Sequence, residues 1–230
     1  MPAKILGISG SPIQNSNTDR AVKAALAAAG MDSEFIKLSE LDVEPCRGCL
    51  ACVSDNHCVV ADDGQMLAEK FRAARAFILG TFTPYSSLDA RSKAFMERMY
   101  CLRHLTGLNR GKIGAAVITT ACDPDDPQLP PAASTTASQI AFWMLEEGMV
   151  NAGHMVLPGN VPCIRCGHGD RCPQSGIAML HGPQATVASV GVRSFADDSG
   201  LLAAAEELGR RVAQMVSEWS TVDGIDGSPP

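Results

Sequence analysis

Lys4-Ile5-Leu6-Gly7-Ile8-Ser9-Gly10-Ser11-Pro12-Ile13-Gln14-Asn15-Ser16-Asn17-Thr18 is the stretch whose reading decides the fold. Its first six residues form a short apolar run ending in turn formers, the pattern of a buried strand. Hydroxyls, amides and turn formers fill the rest. Asp19 to Ala29 then reads as an alanine-rich helix with Val22, Leu26 and Ala29 on one side. Thr18 or Asn17 is its expected cap and Gly30 its expected end. A strand, a polar loop and a helix make an anion site, because backbone N–H groups and the positive end of the helix dipole face the loop. The loop holds no Lys or Arg, no G-x-x-x-x-G-K and no G-x-G-x-x-G, which disfavours a nucleoside triphosphate or a dinucleotide. A monophosphate held by neutral donors fits better, and flavin mononucleotide (FMN) is the common one. A Ser- and Asn-rich capped turn without a ligand is the plainer alternative.

Outward from this unit the same alternation continues. Ser33 to Leu38, Ala76 to Gly80, Ile113 to Thr120 and His154 to Leu157 read as strands. Gln65 to Ala73 behind an Asp cap, Ala90 to Leu102 and Ser134 to Glu147 read as helices between them. Ala185 to Val192 is expected to add a short strand. Leu201 to Trp219 reads as a final helix, apolar at Leu201, Leu202, Ala205, Leu208, Val212 and Met215. Such alternation argues for a parallel sheet covered on both faces, with ligands beyond the carboxyl ends of the strands. The first loop and a second polar loop, Thr81 to Ser87, would meet there. Residues 121–133 carry four prolines and read as an irregular excursion, a candidate lid. One domain is expected over residues 1–220, with a flexible tail at 221–230.

Cysteine use is the second strong signal. Cys46, Cys49, Cys52 and Cys58 fall within thirteen residues as C-x2-C-x2-C-x5-C. Two-residue spacings let sulfurs converge, and the longer last step lets the chain wrap and close a site. Ferredoxin-type [4Fe-4S] runs are of this kind, although they usually place three residues and a following proline at the last step, where this chain has five and Val59. Zinc, which usually takes two separated pairs, and no metal remain open. Cys163, Cys166 and Cys172, with His168 between, repeat the theme as C-x2-C-x5-C. A second cluster, zinc or a plain cysteine-bearing loop all fit that group. Cys101 and Cys122 read as single buried thiols. His104, His154 and His181 lack paired spacing and read as structural. Ser9 and Ser11 lie outside any G-x-S-x-G elbow, so an acyl-transfer nucleophile is not expected.

Composition excludes other classes. The chain has 230 residues, a net charge of −6 and few aromatics, which gives no support for nucleic-acid binding. No apolar run spans a bilayer, and no secretory signal precedes the first strand, so a cytoplasmic location is expected. Nine cysteines, an odd number, suit metal or redox use better than a disulfide framework.

Three pieces in order carry a family resemblance: Gly7 to Pro12 with Asn15 to Thr18, the compact cysteine run followed by Asp62-Asp63, and Gly80 to Tyr85 before Lys93-Ala94-Phe95. With these the chain resembles the iron–sulfur flavoproteins of the NADPH-dependent FMN reductase group, in the flavodoxin-like superfamily. The resemblance implies a doubly wound five-stranded sheet of order 2-1-3-4-5, FMN, a [4Fe-4S] cluster and a homodimer or homotetramer. It implies that Ser9, Ser11, Ser16, Asn17 and Thr18 hold the FMN phosphate, and that Thr83, Pro84, Tyr85 and Ser86 line the isoalloxazine. It implies that Cys46, Cys49, Cys52 and Cys58 bind the cluster, in a loop on the sheet edge where FMN sits. Ile13 stands where similar proteins carry Arg or Lys, so phosphate binding is expected to lean on neutral donors and the helix end. The expected function is electron transfer between a one-electron donor such as ferredoxin, or NAD(P)H, and flavin. An NAD(P)H-dependent FMN or quinone reductase without a working cluster, and a metal-binding redox sensor, are the rival readings.

Overall fold

The computed structural model describes residues 4–222, with side chains to residue 219. Five strands, β1 (Ile5–Ser9), β2 (Ser33–Lys37), β3 (Ala76–Phe82), β4 (Ile113–Thr120) and β5 (Val150–Pro158), form one parallel sheet in the order β2-β1-β3-β4-β5. The expected flavodoxin-like order is therefore observed. Alternate residues of the central strands enter two separate apolar clusters, which is why these runs read as continuously hydrophobic. Leu6, Ile8, Phe77 and Leu79 face helices α2 (Asp63–Ala73), α3 (Ala90–Arg98) and α4 (Ala132–Glu146). Ile5, Ile78, Ile113 and Val117 face α1 (Asn17–Ala29) and the last helix.

Several boundaries differ from expectation for local physical reasons. The cap of α1 is Ser16, not Asn17 or Thr18. Its hydroxyl accepts from the Asp19 N–H while the Asp19 carboxylate accepts from the Ser16 N–H, a reciprocal capping box. Gly30 ends that helix in the left-handed region at φ 62°, as expected. The long helix read over residues 90–102 stops at Arg98 and tightens into a 3₁₀ turn, Met99–Leu102. Strand β5 begins four residues early, at Val150, hidden in the sequence by Asn151 and Gly153. The strand expected at 185–192 is absent. Short helices α5 (Gly176–His181) and α6 (Val187–Val190) lie in that region, and Thr186 and Ser189 close a second capping box that favours a helical turn over extension. Helix α7 spans Ser199–Val222, and the rest of the expected tail lies outside the described residues. Leu202 of α7 faces solvent, unlike the other five apolar positions named for it. No helix among the described residues is long and apolar enough to cross a membrane.

Helices α1 and α7 approach until Gly209 touches backbone. A Cβ there would stand 2.0 Å from the Ala25 carbonyl oxygen. Gly209→Ala should therefore force the two helices apart and cost about 1–3 kcal/mol, read as a lower urea midpoint at unchanged slope.

Candidate flavin edge and cysteine loop

The first loop is built around a buried ion pair. Lys37, the last residue of β2 and the register partner of Ser9, donates from Nζ to both Asp19 carboxylate oxygens at 2.8 and 2.6 Å and to the Ile13 carbonyl at 2.8 Å. Both side chains are out of water, at 4% and 2% exposure. The Asp19 carboxylate also accepts from the Ser9 hydroxyl at 2.6 Å. A cation thus does serve this loop. Sequence reading missed it because it comes from a neighbouring strand, and its charge is matched by Asp19.

The expected phosphate ligands are brought together here, but their side chains are engaged. Ser9 is fully buried on Asp19, and the Ser11 hydroxyl accepts from the Ile13 N–H. Ser16 caps the helix. The Asn17 amide donates to the Arg193 carbonyl at 2.9 Å and accepts from the Phe195 N–H at 3.1 Å, tying the 159–198 excursion to the loop. The Thr18 and Thr119 hydroxyls share a 2.7 Å hydrogen bond. The first-turn N–H groups of Asn17 and Thr18 have no intrahelical acceptor and are the donors this edge offers.

The second loop meets the first through Gly10. Its N–H donates to the Gly80 carbonyl at 2.8 Å, and a Cβ on it would lie 2.2 Å from the Ser92 hydroxyl and 2.5 Å from the Asp89 carboxylate. Asp89, itself buried, caps α3 and accepts from the Thr81 and Ser92 hydroxyls, each at 2.6 Å. Above this floor runs a 3₁₀ turn, Pro84–Ser86, beginning after Thr83. Tyr85 and Ser86 hold φ of 51° and 60°, a left-handed conformation rare for residues other than glycine, and the Tyr85 ring stands wholly exposed.

The cysteine loop has its own anchors. It leaves β2 at the same sheet edge but docks on the far end of α3, a helix of about 14 Å by its rise. The Asn56 amide donates to the carbonyls of Cys101 and His104 at 2.9 and 2.6 Å, and Gln65 donates to the Cys58 carbonyl at 2.6 Å. Among the described residues, no hydrogen bond or ion pair links residues 46–58 to either flavin-edge loop. Cys46, Cys49, Cys52 and Cys58 all line one shallow concavity, open in part to solvent, together with Cys101 and Arg98. The Gly48 N–H points at the Cys46 sulfur at 3.4 Å. Burial pushes the Cys52 thiol up, and the neighbouring Cys58, Cys46 and Cys49 add to the effect. Burial beside the same sulfurs pushes Cys101 to about 12. No group of three or more His, Cys, Asp or Glu side chains among the described residues is gathered closely enough for a single metal ion.

Cys163, Cys166 and Cys172 do not line that concavity. Cys163 is half-buried and accepts from the Gly176 N–H at 3.2 Å, and Cys166 accepts from the His168 N–H at 3.4 Å. Cys166 and Cys172 are exposed.

Comparison with known proteins follows from this geometry. The sequence profile of the family described as NADPH-dependent FMN reductase matches residues 3–124, which hold both flavin-edge loops and the cysteine loop. The chain belongs to that family. Membership makes the reductase-family protein a flavin-dependent oxidoreductase. An iron–sulfur flavoprotein of Methanocaldococcus jannaschii is 33% identical over 153 residues, 65% of this chain and 76% of the relative. One of Methanosarcina thermophila is 35% identical over 117 residues, covering 50% of this chain and 61% of the relative. Among solved structures, an NAD(P)H:quinone oxidoreductase from Methanothermobacter marburgensis superposes with a TM-score of 0.59 at 15% identity, over 92% of this chain and 98% of the other. A flavone reductase gives 0.61 at 17%, over 94% and 64%. At such identities the likeness speaks for the fold.

Two tests follow from the charges. Lys37→Met leaves Asp19 buried without a cation and should lower stability by about 3–5 kcal/mol in denaturant titration, with Lys37→Met/Asp19→Asn recovering much of it. At the cysteine loop, burial pushes the Asp62 carboxyl up, but the Arg98 hydrogen bond and the N–H groups of Glu44 and Gly64 outweigh it and hold it below its ordinary value. Its contribution is present above the ordinary carboxylate range and lost as pH falls through the lowered pKa. Asp62→Asn should flatten the acid limb of the stability–pH profile.

Proposed function

We propose that this protein is an electron-transfer flavoenzyme holding FMN at the edge formed by the first and second loops and a [4Fe-4S] cluster on Cys46, Cys49, Cys52 and Cys58. One observation carries the reading: the four thiols of the specific sequence motif line a single concavity that also contains a buried guanidinium. Thiolate donors, an N–H aimed at sulfur and a mostly apolar lining fit such a cluster.

Flavin exchanges electrons in pairs or singly and an iron–sulfur cluster singly, so the two together convert between the modes. The chain's own residues bind and orient. The Asn17 and Thr18 N–H groups receive the phosphate at the helix end, while Ser9, Ser11, Ser16 and the Asn17 and Thr18 side chains hold the loop in shape. Thr83, Pro84, Tyr85 and Ser86 line the ring system, with Tyr85 presented by the left-handed turn. A small redox protein such as ferredoxin, or NAD(P)H, supplies electrons. The reading includes the homodimer or homotetramer that the family resemblance implies. Cys163, Cys166 and Cys172 do not line the concavity of the first group, and the cluster is assigned to Cys46–Cys58 alone.

Anaerobic purification should yield about four iron and four sulfide per chain, plus FMN released on denaturation. Cys49→Ala should lose the iron, and Cys163→Ser should keep it. Flavin without iron would favour an NAD(P)H-dependent FMN or quinone reductase lacking a cluster, and metal without flavin a redox sensor. For the phosphate, Asn17→Pro is the sharp variant. Proline suits the first helical position and removes only its N–H beyond what Asn17→Ala removes. FMN should bind about tenfold or more weakly to the proline variant than to the alanine one. Equal affinities would move the phosphate off the helix end.

A further inference from the structure

Among the described residues Arg98 leads the fully buried large side chains, at 1% exposure. A guanidinium out of water is costly unless its N–H groups are met. Three of its contacts are with the cysteine loop and the helix behind it. One terminal nitrogen donates to the Asp62 carboxylate and to the Glu44 carbonyl, the latter at 3.1 Å, and the other donates to the Val60 carbonyl at 3.4 Å. Glu44 precedes the first cysteine and Val60 follows the last, so one side chain closes the base of the loop. The fit is tight, because a Cβ on Gly64 would lie 2.6 Å from the guanidinium. Yet Nε–H, buried with the rest, has no partner. Arg98 lines the concavity together with Cys58.

Closing the loop explains the two carbonyl contacts. It does not explain an unmatched cationic donor beside four thiols. We propose that Arg98 is a positioning residue for the thiolate-bound centre: its free Nε–H is kept for a sulfur of that centre, and its charge raises the centre's reduction potential. The inference rests on the assignment of a cluster to Cys46, Cys49, Cys52 and Cys58. Reduction adds one negative charge, so a nearby cation and an N–H···S bond stabilise the reduced form more than the oxidised one. Asp62 tempers the effect, since it pairs with the same guanidinium.

The test compares R98M/D62N, D62N and R98K with wild type, each anaerobically reconstituted with iron and sulfide. Iron per chain, FMN content, thermal unfolding and the cluster's midpoint potential by EPR-monitored titration are read. The double variant avoids leaving a buried carboxylate alone. Its one-electron equilibrium should shift about tenfold or more toward the oxidised form, about 59 mV lower. D62N, which frees the guanidinium's charge, should shift the equilibrium the opposite way. R98K should keep most of the wild-type potential while holding iron less firmly. Opposite shifts in the first two variants are not expected of a mere clamp, which would alter iron retention and melting without that pattern. Wild-type potential in both would overturn the proposal and leave the cluster assignment standing. Should R98M/D62N take up no cluster, D62N decides: a potential above the wild-type value supports the role, and an unchanged one overturns it. No iron in the wild type would overturn the assignment and the proposal together.

Discussion

A lysine and an aspartate held out of water fix the loop on which the flavin edge depends. Lys37 and Asp19 neutralise each other, and the pair reaches the Ile13 carbonyl, the Ser9 hydroxyl and the Ser16 N–H. These contacts tie the buried end of β1 at Ser9 to the loop at Ile13 and to the helix cap at Ser16. A buried ion pair of this sort adds little net stability, but it makes alternative loop conformations costly, because each would leave a charge unpaired. Rigidity of the loop, rather than binding charge, is what the pair supplies.

Helix α3 carries the order of that edge across the molecule. At its start Asp89 caps the helix and packs under Gly10. At its end Arg98 sits under the cysteines. The apolar faces of Phe95 and Met96 lock the helix into the core between these two polar ends. Two chemically distinct regions are thereby set on one rigid element, without sharing a hydrogen bond.

The fold was legible because it depends on local pattern. Strand β4 was read to the residue; alternation gave the covered parallel sheet, and the family resemblance gave the order of its strands. The site was legible where its residues are sequential, as with Cys46 to Cys58. It was opaque where a residue acts at a distance. Lys37 reads as one polar position in an alternating strand, and its partner Asp19 reads as a helix-starting acid. Arg98 follows Lys93 and Glu97 on a helix and reads as one more solvated charge; only the packing of α2 against α3 buries it. Residues 185–192 misled because β-branched residues favour extension in general, whereas Thr186 and Ser189 locally reward one helical turn. The exposure of Tyr85 and the left-handed turn beneath it carry no sequence mark, since glycine, the usual sign, is missing there.

A loop whose two ends are pinned by one scaffold side chain is a separable piece. With Glu44 and Val60 both bound to Arg98, the chain between them returns to its starting point whatever its length, and lengthening it costs little closure entropy. Between those ends the loop is held once more at Asn56, whose amide meets the Cys101 and His104 carbonyls, so added length fits on either side of that anchor. The base under the cysteines thus behaves as a socket, in which a lineage can enlarge, trim or replace the insert while the doubly wound core stays as it is.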